Sequence, residues 1–282
     1  MKIKKLSLTI ITLIVGIQCY SQKIADHHEN EVLTILYDNR SAYEFIQADH
    51  GFSCLIETGN EKCLFDAGRI SDNLILNMKE LNIVYSSITH IFISHIHNDH
   101  MGGLQGVLTK CNKPNLYMPF SYPQLIDEPI SDRADSDWKA LLDQYKPMVS
   151  NLIKVNETIN IGNIGYSSGT IENVFFEQSL IIPTSKGLVI ITGCAHPGIV
   201  EIVKHAKKLM NDDVYLVLGG FHLNSTNPDK VKNIAQELRE LTHYLGPCHC
   251  TGTNSMAILK NVFKEDYIDI KAGLKINIEK LL

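Results

Sequence analysis

The sequence has few aromatic residues and no excess of positive charge. Only 7% of its 282 residues are aromatic, with a single tryptophan, and 26 basic residues stand against 31 acidic ones. A nucleic-acid-binding chain normally carries a basic patch or stripe, so we expect no nucleic-acid partner. The chain also lacks a Pro/Ser-rich linker, an internal repeat and a Walker phosphate-binding loop. These absences argue against repeat architectures and P-loop enzymes.

The longest apolar run lies at the N-terminus. Three lysines within residues 2–5 precede an apolar stretch at 6–17, which is short for a membrane span. We predict a cleaved secretory signal peptide over residues 1–21, with no lipid attached to Cys19; an uncleaved N-terminal anchor is the alternative. The mature chain, residues 22–282, keeps 23 basic and 31 acidic residues, a net charge of −8. We expect it to be exported, periplasmic or secreted, without a stable membrane anchor.

The mature chain is long enough for one large layered domain, with both strand and helix patterns. Strands are predicted at 31–38, 52–57, 62–66 and 88–94, near 116 and 164, and at 179–183, 188–192 and 214–218. Helices are predicted at 71–81, 137–145, 197–210, 228–244 and 254–263. This order fits two sheets packed face to face with helices outside, and it also fits a doubly wound sheet.

Six cysteines lie in the mature chain. Cys54 and Cys63 flank a predicted hairpin turn at residues 58–60, so a disulfide between them is one interpretation. Two ordinary thiols in the strand core are the other.

The strongest chemical signal is the stretch ISHIHNDHMGG at residues 93–103. Four potential metal ligands follow directly after the buried strand at 88–94: His95, His97, Asp99 and His100. In an extended loop the first three would point the same way, and Gly102 and Gly103 allow a tight turn. Imidazole and carboxylate together suit zinc, iron or manganese. The pattern therefore predicts a metal site at the end of a strand.

This pattern resembles the His-x-His-x-Asp-His signature of the metallo-β-lactamase superfamily. The segments HGFSCLIE, LFDAG, ITGCAHPGI, GGFHL and PCHCTG, in this order, are similar to the branch that includes dihydropterin ribofuranosylaminobenzene phosphate synthase of methanopterin biosynthesis. The similarity spans nearly the whole mature chain. It implies the α/β class and a four-layer αββα sandwich, with the metals at the open edge between the sheets.

The resemblance also implies two divalent metal ions, with zinc preferred and iron or manganese as alternatives. In the family pattern, His95 and His97 bind the first metal, and Asp99 and His100 bind the second. His196 lies at a strand-to-helix corner and would complete the first site. His249 matches the final histidine of the superfamily and would complete the second.

The chain departs from the superfamily where many members carry an aspartate that bridges the two metals. The nearest match, LGGFHL, offers His222 and no acid. We take His222, with Asp99, as a candidate catalytic residue. Cys194 is either a metal ligand or a buried small residue. Cys248 and Cys250 are expected to face away from the site.

Several further side chains have predicted supporting roles. Asp66 is expected to brace the metal loop through hydrogen bonds, and His90 to support the site from behind. The segment 118–148, with Tyr122, Trp138 and Tyr145, is the candidate substrate wall. The remaining histidines are interpreted as surface or structural residues: His27, His28, His50, His205 and His243.

The resemblance implies a hydrolase in which two cations lower the pKa of a shared water and the resulting hydroxide attacks a small ester, phosphodiester, lactone or lactam. Asp99 would orient that hydroxide or carry its proton. A non-catalytic periplasmic metal or ligand binder and a di-iron redox protein stay open as alternatives, and the oligomeric state is not predicted. GYSSG at 165–169 matches a serine-hydrolase elbow, but TIENVFF follows it, so we interpret Ser167 as a hairpin-turn residue.

Overall fold

The computed structural model describes residues 31–119, 140–171 and 176–281. The predicted signal peptide, the start of the helix expected at 137, and Tyr122 and Trp138 of the expected substrate wall lie outside these ranges. Within them, no helix combines the length and the apolar character that crossing a membrane requires.

Thirteen strands and six helices have both ends within the described residues, and residues 140–145 are also helical. Strands β1 to β13 are Val32–Tyr37, Ser53–Thr58, Glu61–Phe65, His90–Phe92, Asn115–Pro119, Asn151–Val155, Ile159–Ile161, Gly165–Ser167, Leu180–Thr184, Gly187–Thr192, Val214–Gly220, Thr242–Cys248 and Lys275–Asn277. Helices α1 to α6 are Ser71–Glu80, Asn98–Met101, Leu104–Leu108, Ile199–Met210, Pro228–Leu241 and Thr253–Phe263.

The strands form two mixed sheets that pack face to face. One sheet has the order β13-β1-β2-β3-β4-β5-β6 and the other β12-β11-β10-β9-β8-β7. Alternate side chains of the inner strands face the two sides: in β10, Val189 and Ile191 enter the layer between the sheets, whereas Leu188 and Ile190 face the helices. A strand that is buried on both faces needs apolar residues at every position, which explains the continuous apolar run of β10.

Helices cover the outer faces of both sheets. Helices α1 and α3 pack on the seven-stranded sheet, and α4, α5 and α6 pack on the six-stranded sheet. In α4, Ile199, Ile202, Val203 and Ala206 share a buried face, and burying each of the larger side chains contributes about 1.5–3 kcal/mol. The predicted αββα sandwich is therefore confirmed, and the doubly wound alternative is wrong.

The inner strand predicted at 88–94 is shorter, His90–Phe92, and two helix boundaries also differ from the prediction. The helix expected at 228–244 ends at Leu241, because β12 starts at Thr242 and pairs in parallel with β11. The helix expected from Pro197 begins at Ile199, after Gly198 adopts a φ of 101°. The first helix boundary reflects the pairing of β12 with β11, which overrides local helix propensity. The second reflects the backbone conformation that glycine allows at position 198.

The two cysteines of the first hairpin have free thiols. Cys54 and Cys63 are fully buried in the layer between the sheets. They are not cross-strand partners, because Cys54 pairs with Phe65 and Cys63 with Ile56. Burial raises the pKa of both thiols. The core interpretation is confirmed, and the disulfide alternative is wrong.

Two predictions on the rest of the chain also need correction. Ser167 lies within β8 rather than in a hairpin turn, and its buried Oγ donates a hydrogen bond to Gln178 Oε1 at 2.8 Å. Tyr145 is 4% exposed and packs in the core beneath the seven-stranded sheet with Leu142. Neither the turn assigned to Ser167 nor the substrate-wall role of Tyr145 agrees with these positions.

Candidate metal centre

The predicted ligands meet where the C-terminal ends of β4, β10 and β12 approach one edge of the sandwich. The loop after β4 carries the histidine cluster, the loop after β10 carries His196, and the turn after β12 carries His249. The cluster is not fully extended, because Asp99 and His100 lie on the short helix α2. The topology thus joins side chains that are about 50 to 150 positions apart in the sequence.

Asp66 braces the cluster from the loop after β3, where it has a φ of 53°. Its Oδ1 accepts the Ser94 backbone N–H at 2.7 Å, and its Oδ2 accepts the Ser94 hydroxyl at 2.7 Å. The same Oδ2 lies 2.6 Å from His100 Nδ1. This geometry agrees with the bracing role predicted for Asp66 and turns His100 Nε2 towards the cluster.

His95 is oriented by the same network. The single hydroxyl proton of Ser94 is donated to Asp66, so Ser94 Oγ accepts the hydrogen bond from His95 Nδ1 at 2.9 Å. His95 therefore carries its proton on Nδ1. Its bare Nε2 lies 3.0 Å from His97 Nδ1.

Glu177 performs the equivalent task for His196, and the sequence reasoning missed it. This fully buried carboxylate accepts the backbone N–H groups of Cys194, Ala195 and His196 at 2.8–2.9 Å, and His196 Nδ1 at 2.8 Å. Burial raises the pKa of Glu177, but the hydrogen bond from His196 and the nearby His95 outweigh burial and hold the pKa at about 2. The ionised carboxylate fixes the His196 proton on Nδ1, so Nε2 is the unprotonated nitrogen that can bind a metal.

His249 is oriented by two residues that follow β1 in the seven-stranded sheet. Its backbone N–H donates to Asp38 Oδ1 at 2.9 Å, and its Nδ1 lies 3.0 Å from Asn39 Oδ1. Its Nε2 faces Asp99 Oδ2 at 3.1 Å and His100 Nε2 at 3.1 Å. Burial disfavours a protonated His249, yet the Asp99 carboxylate outweighs burial and raises its pKa.

The donor set fits divalent cations. Burial lowers the pKa of His95, His97 and His100, and their mutual proximity lowers it further, so these imidazoles are neutral near pH 7. The ring nitrogens of His95 and His97, and those of His100 and His249, lie 3.0–3.1 Å apart, and His249 Nε2 also faces the Asp99 carboxylate. This convergence of imidazole nitrogens and a carboxylate matches the ligands that divalent metals such as zinc take in proteins.

The potential donors fall into three groups, and the donor atoms within each group lie within 4.8 Å of one another. The first contains Asp99, His100 and His249, the second His95 and His196, and the third His222 and Cys250, and Cys194 belongs to each of them. His97 joins the second group through His95. The structure thus brings together all six ligands that the sequence predicted.

His222 and Cys250 lie beside this cluster. His222 is exposed, with its ring 4.6 Å from that of His196, and its backbone N–H donates to Cys250 Sγ at 3.3 Å. Cys248 is buried in the core as expected. Cys250, in contrast, faces the cluster, because the chain turns through a 3-10 helix at His249–Thr251 and strand alternation no longer applies.

A cleft of about 740 Å³ opens above the cluster. His50, interpreted from sequence as structural, lines this cleft and places Nε2 3.1 Å from Asp99 Oδ2. The rest of the lining is mostly polar: Asn39, Arg40, Asn224, Ser225, Thr226 and Thr253. His90, expected behind the site, instead contacts Tyr117 and Glu61 in the layer between the sheets.

Gly220 allows the two cysteine sulfurs to lie behind the ligands. A Cβ at this position would lie 2.4 Å from the Gly193 carbonyl oxygen and 2.6 Å from Cys250 Sγ. Gly220→Ala is therefore expected to lower the free energy of unfolding by about 1–3 kcal/mol, as overpacking does. Guanidinium unfolding would measure the loss, and an unchanged midpoint would contradict the packing described for Gly220. Gly198→Ala serves as a comparison. A Cβ at Gly198 would meet no atom nearer than 3.9 Å, so the cost of that substitution comes from the φ of 101°, which alanine rarely adopts.

Comparisons with known proteins agree with this architecture. Residues 41–194 match the family model described as anti-Pycsar protein Apyc1. The chain is 30% identical over 261 residues to 7,8-dihydropterin-6-methyl-4-(β-D-ribofuranosyl)-aminobenzene-5'-phosphate synthase of Methanocaldococcus jannaschii, covering 80% of this chain and 89% of that protein.

Solved structures show the same similarity. Tm1679, described as a metal-dependent hydrolase of the β-lactamase superfamily, superposes with a TM-score of 0.70 at 28% identity, covering 87% of this chain and 98% of that one. The metallo-β-lactamase fold protein YhfI from Bacillus subtilis superposes with a TM-score of 0.61 at 12% identity, covering 87% and 99%. The second match supports the fold alone.

Proposed function

Since the chain belongs to the metallo-β-lactamase superfamily, whose fold neighbours are mostly metal-dependent hydrolases, we propose that it is an exported hydrolase with a binuclear metal centre. The observation that carries the proposal is the convergence of six candidate ligands, of which His95, His100 and His196 are oriented by hydrogen bonds to the buried Ser94, Asp66 and Glu177. Hydrogen-bonded partners behind the ligands are typical of functional metal sites. A protein that only stored metal would not need the open cleft above them.

His95, His97 and His196 would hold the first ion, and Asp99, His100 and His249 the second. When bound, two divalent cations, with zinc preferred, supply Lewis acidity and lower the pKa of a water molecule. The protein holds the ligands rigidly through Asp66 and Glu177, so little reorganisation is needed on binding.

Asp99 has a second role besides binding metal. Burial would raise its pKa, but the hydrogen bond from His249 and the neighbouring His100 hold that pKa far below its usual value. The ionised Oδ2 also faces His50, whose side chain is 53% exposed, at 3.1 Å. Because it stays ionised, the Asp99 carboxylate would orient a water molecule for attack by accepting a hydrogen bond from it. His222, on the opposite rim of the cleft, is placed to contact the substrate.

The cleft favours a small polar substrate. Five amide or hydroxyl side chains line the cleft beside the histidines, Met256 is the one large apolar residue of the lining, and Arg40 adds a positive charge that Asp269 partly offsets at 2.8 Å. Such a lining suits phosphate esters and phosphodiesters better than acyl lactones or lactams, which need an apolar wall. The 5'-phosphate in the name of the archaeal relative supports the same choice.

The proposal is tested with the mature protein stripped of metal by a chelator and reloaded with zinc or manganese. Phosphodiester, phosphomonoester, carboxylic ester, lactone and β-lactam substrates are then assayed in parallel. We expect turnover of a phosphate ester or diester only in the reloaded protein. Equal turnover by the stripped and reloaded protein, or two bound ions without turnover of any substrate, would contradict a metal-dependent hydrolase.

A further inference from the structure

Among the described residues, no carboxylate belongs to both the Asp99, His100 and His249 group and the His95 and His196 group. The end of β11, where many superfamily members carry the bridging acid that this chain lacks, is formed by Gly219 and Gly220. A Cβ at Gly220 would lie 2.4 Å from the Gly193 carbonyl oxygen, 2.6 Å from Cys250 Sγ and 3.3 Å from Cys194 Cα. No acidic side chain fits there unless the Gly193 backbone and Cys250 move.

Cys194 is placed between the two ligand groups. Its Sγ lies 3.2 Å from His100 Nε2. It is within 4.8 Å of the donor atoms of Asp99, His100 and His249, and equally of those of His95 and His196. Among the described residues, it is the one donor that belongs to both groups. The residue is 3% exposed, so solvent does not compete for the sulfur.

We propose that the Cys194 sulfur binds both metal ions and replaces the missing bridging carboxylate. Thiolate is a strong ligand for zinc, and a metal deprotonates the thiol it binds. The S–H bond is replaced by sulfur–metal bonds, and the proton is released to solvent. This inference rests on the proposed binuclear centre and identifies a ligand outside the histidine and aspartate set.

The backbone around Cys194 is built to hold the sulfur in this place. Its N–H, like that of Ala195, donates to the buried carboxylate of Glu177 at 2.8–2.9 Å. Ala195 has a φ of 59°, which turns the chain sharply between Cys194 and His196. As a result, both the sulfur and the imidazole of this short loop face the cluster. A cysteine that only filled space would not need this fixed orientation.

Cys250 is the natural comparison, because it is the neighbouring thiol and is not shared between the two ligand groups. It groups with Cys194 and His222 alone, and it accepts the His222 backbone N–H. The bridging role therefore predicts different outcomes for two adjacent cysteines. Cys111, half-buried and away from the cleft, provides a remote thiol.

The test titrates metal-free protein with Co²⁺ and follows absorption. We expect the wild type to bind two ions and to develop a near-ultraviolet thiolate-to-cobalt charge-transfer band. Cys194→Ser and Cys194→Ala should lose this band, and both binding steps should weaken about 10-fold or more. Cys250→Ser and Cys111→Ser should keep the charge-transfer band and bind both ions with wild-type affinity. Circular dichroism checks that each variant is folded.

The outcomes separate this inference from the proposed function. If the wild type binds fewer than two ions, the binuclear hydrolase itself is contradicted. If it binds two ions but Cys194→Ser keeps the band, or if Cys250→Ser loses it instead, the assignment of Cys194 is overturned. Weakening of only one binding step would overturn the bridging role, because a terminal ligand serves one ion.

Discussion

Replacing His97 with alanine is expected to reduce turnover by about 1,000-fold or more, since a correctly held metal contributes several kcal/mol to catalysis. His97 is half-buried and lies 3.0 Å from His95 Nε2. Its removal opens a ligand position without breaking a strand or a helix. We therefore expect the fold to persist, with far-UV circular dichroism unchanged and metal content reduced.

His243→Ala is the matched control for this variant. His243 is another histidine, with a side chain 51% exposed beside Asp266 and away from the cleft. Its replacement should leave metal content and turnover at the wild-type level. If His97→Ala turned over the substrate identified in the parallel assays as fast as the wild type does, His97 would not be a ligand of the metal centre.

Glu177→Ala is expected to have the largest effect on stability. The carboxylate accepts three backbone N–H groups and one imidazole N–H from a single loop. Leaving buried donors unpaired costs about 1–3 kcal/mol each, so the free energy of unfolding should fall by about 3 kcal/mol or more. The same variant should lose metal, because Cys194 and His196 are no longer fixed. Denaturant unfolding and metal analysis measure the two effects.

Glu201→Ala provides the control for Glu177. Glu201 lies on α4 with its side chain 70% exposed. A surface substitution of this kind changes stability by no more than about 0.5 kcal/mol. If Glu177→Ala were as stable as Glu201→Ala and kept its metal, the network described around Glu177 would be wrong.

The sequence predicted those parts of the site that depend on local pattern. The histidine cluster follows a strand that is apolar on both faces, and the spacing of its residues is specific enough to identify the ligands. Asp66 is recognisable in the same way, from its place at the end of the first hairpin. His196 and His249 are recognisable because each stands at a corner between a strand and a helix.

The parts that could not be predicted depend on tertiary contacts. Glu177 supports backbone groups 17 to 19 residues further along the chain, so no periodicity reveals it. Its one signal is a charged residue shortly before the apolar run of β9, from which Gln178 and Ser179 separate it. His50 meets Asp99 only because the hairpin folds over α2. Strand β12 contains glycine and proline and forms through its pairing with β11.

Cys250 shows why alternation failed beside the site. The prediction gave Cys248 and Cys250 the parity opposite to that of His249, which would turn both cysteines away from the site and into packing. His249 instead has a φ of 49°, and the chain turns through a 3-10 helix. Backbone geometry of this kind is stabilised here by Asp38, whose Oδ1 accepts the His249 N–H. It cannot be read from residue spacing.

The metal content of the mature protein is the most direct test of the central claim, that these residues form a two-metal centre. Residues 22–282 would be purified without a histidine tag or chelators and measured by inductively coupled plasma mass spectrometry. We expect about two divalent ions per chain, most of them zinc, because a binuclear hydrolase requires two. A protein that is folded and retains no more than one ion, even after incubation with excess zinc, would contradict it.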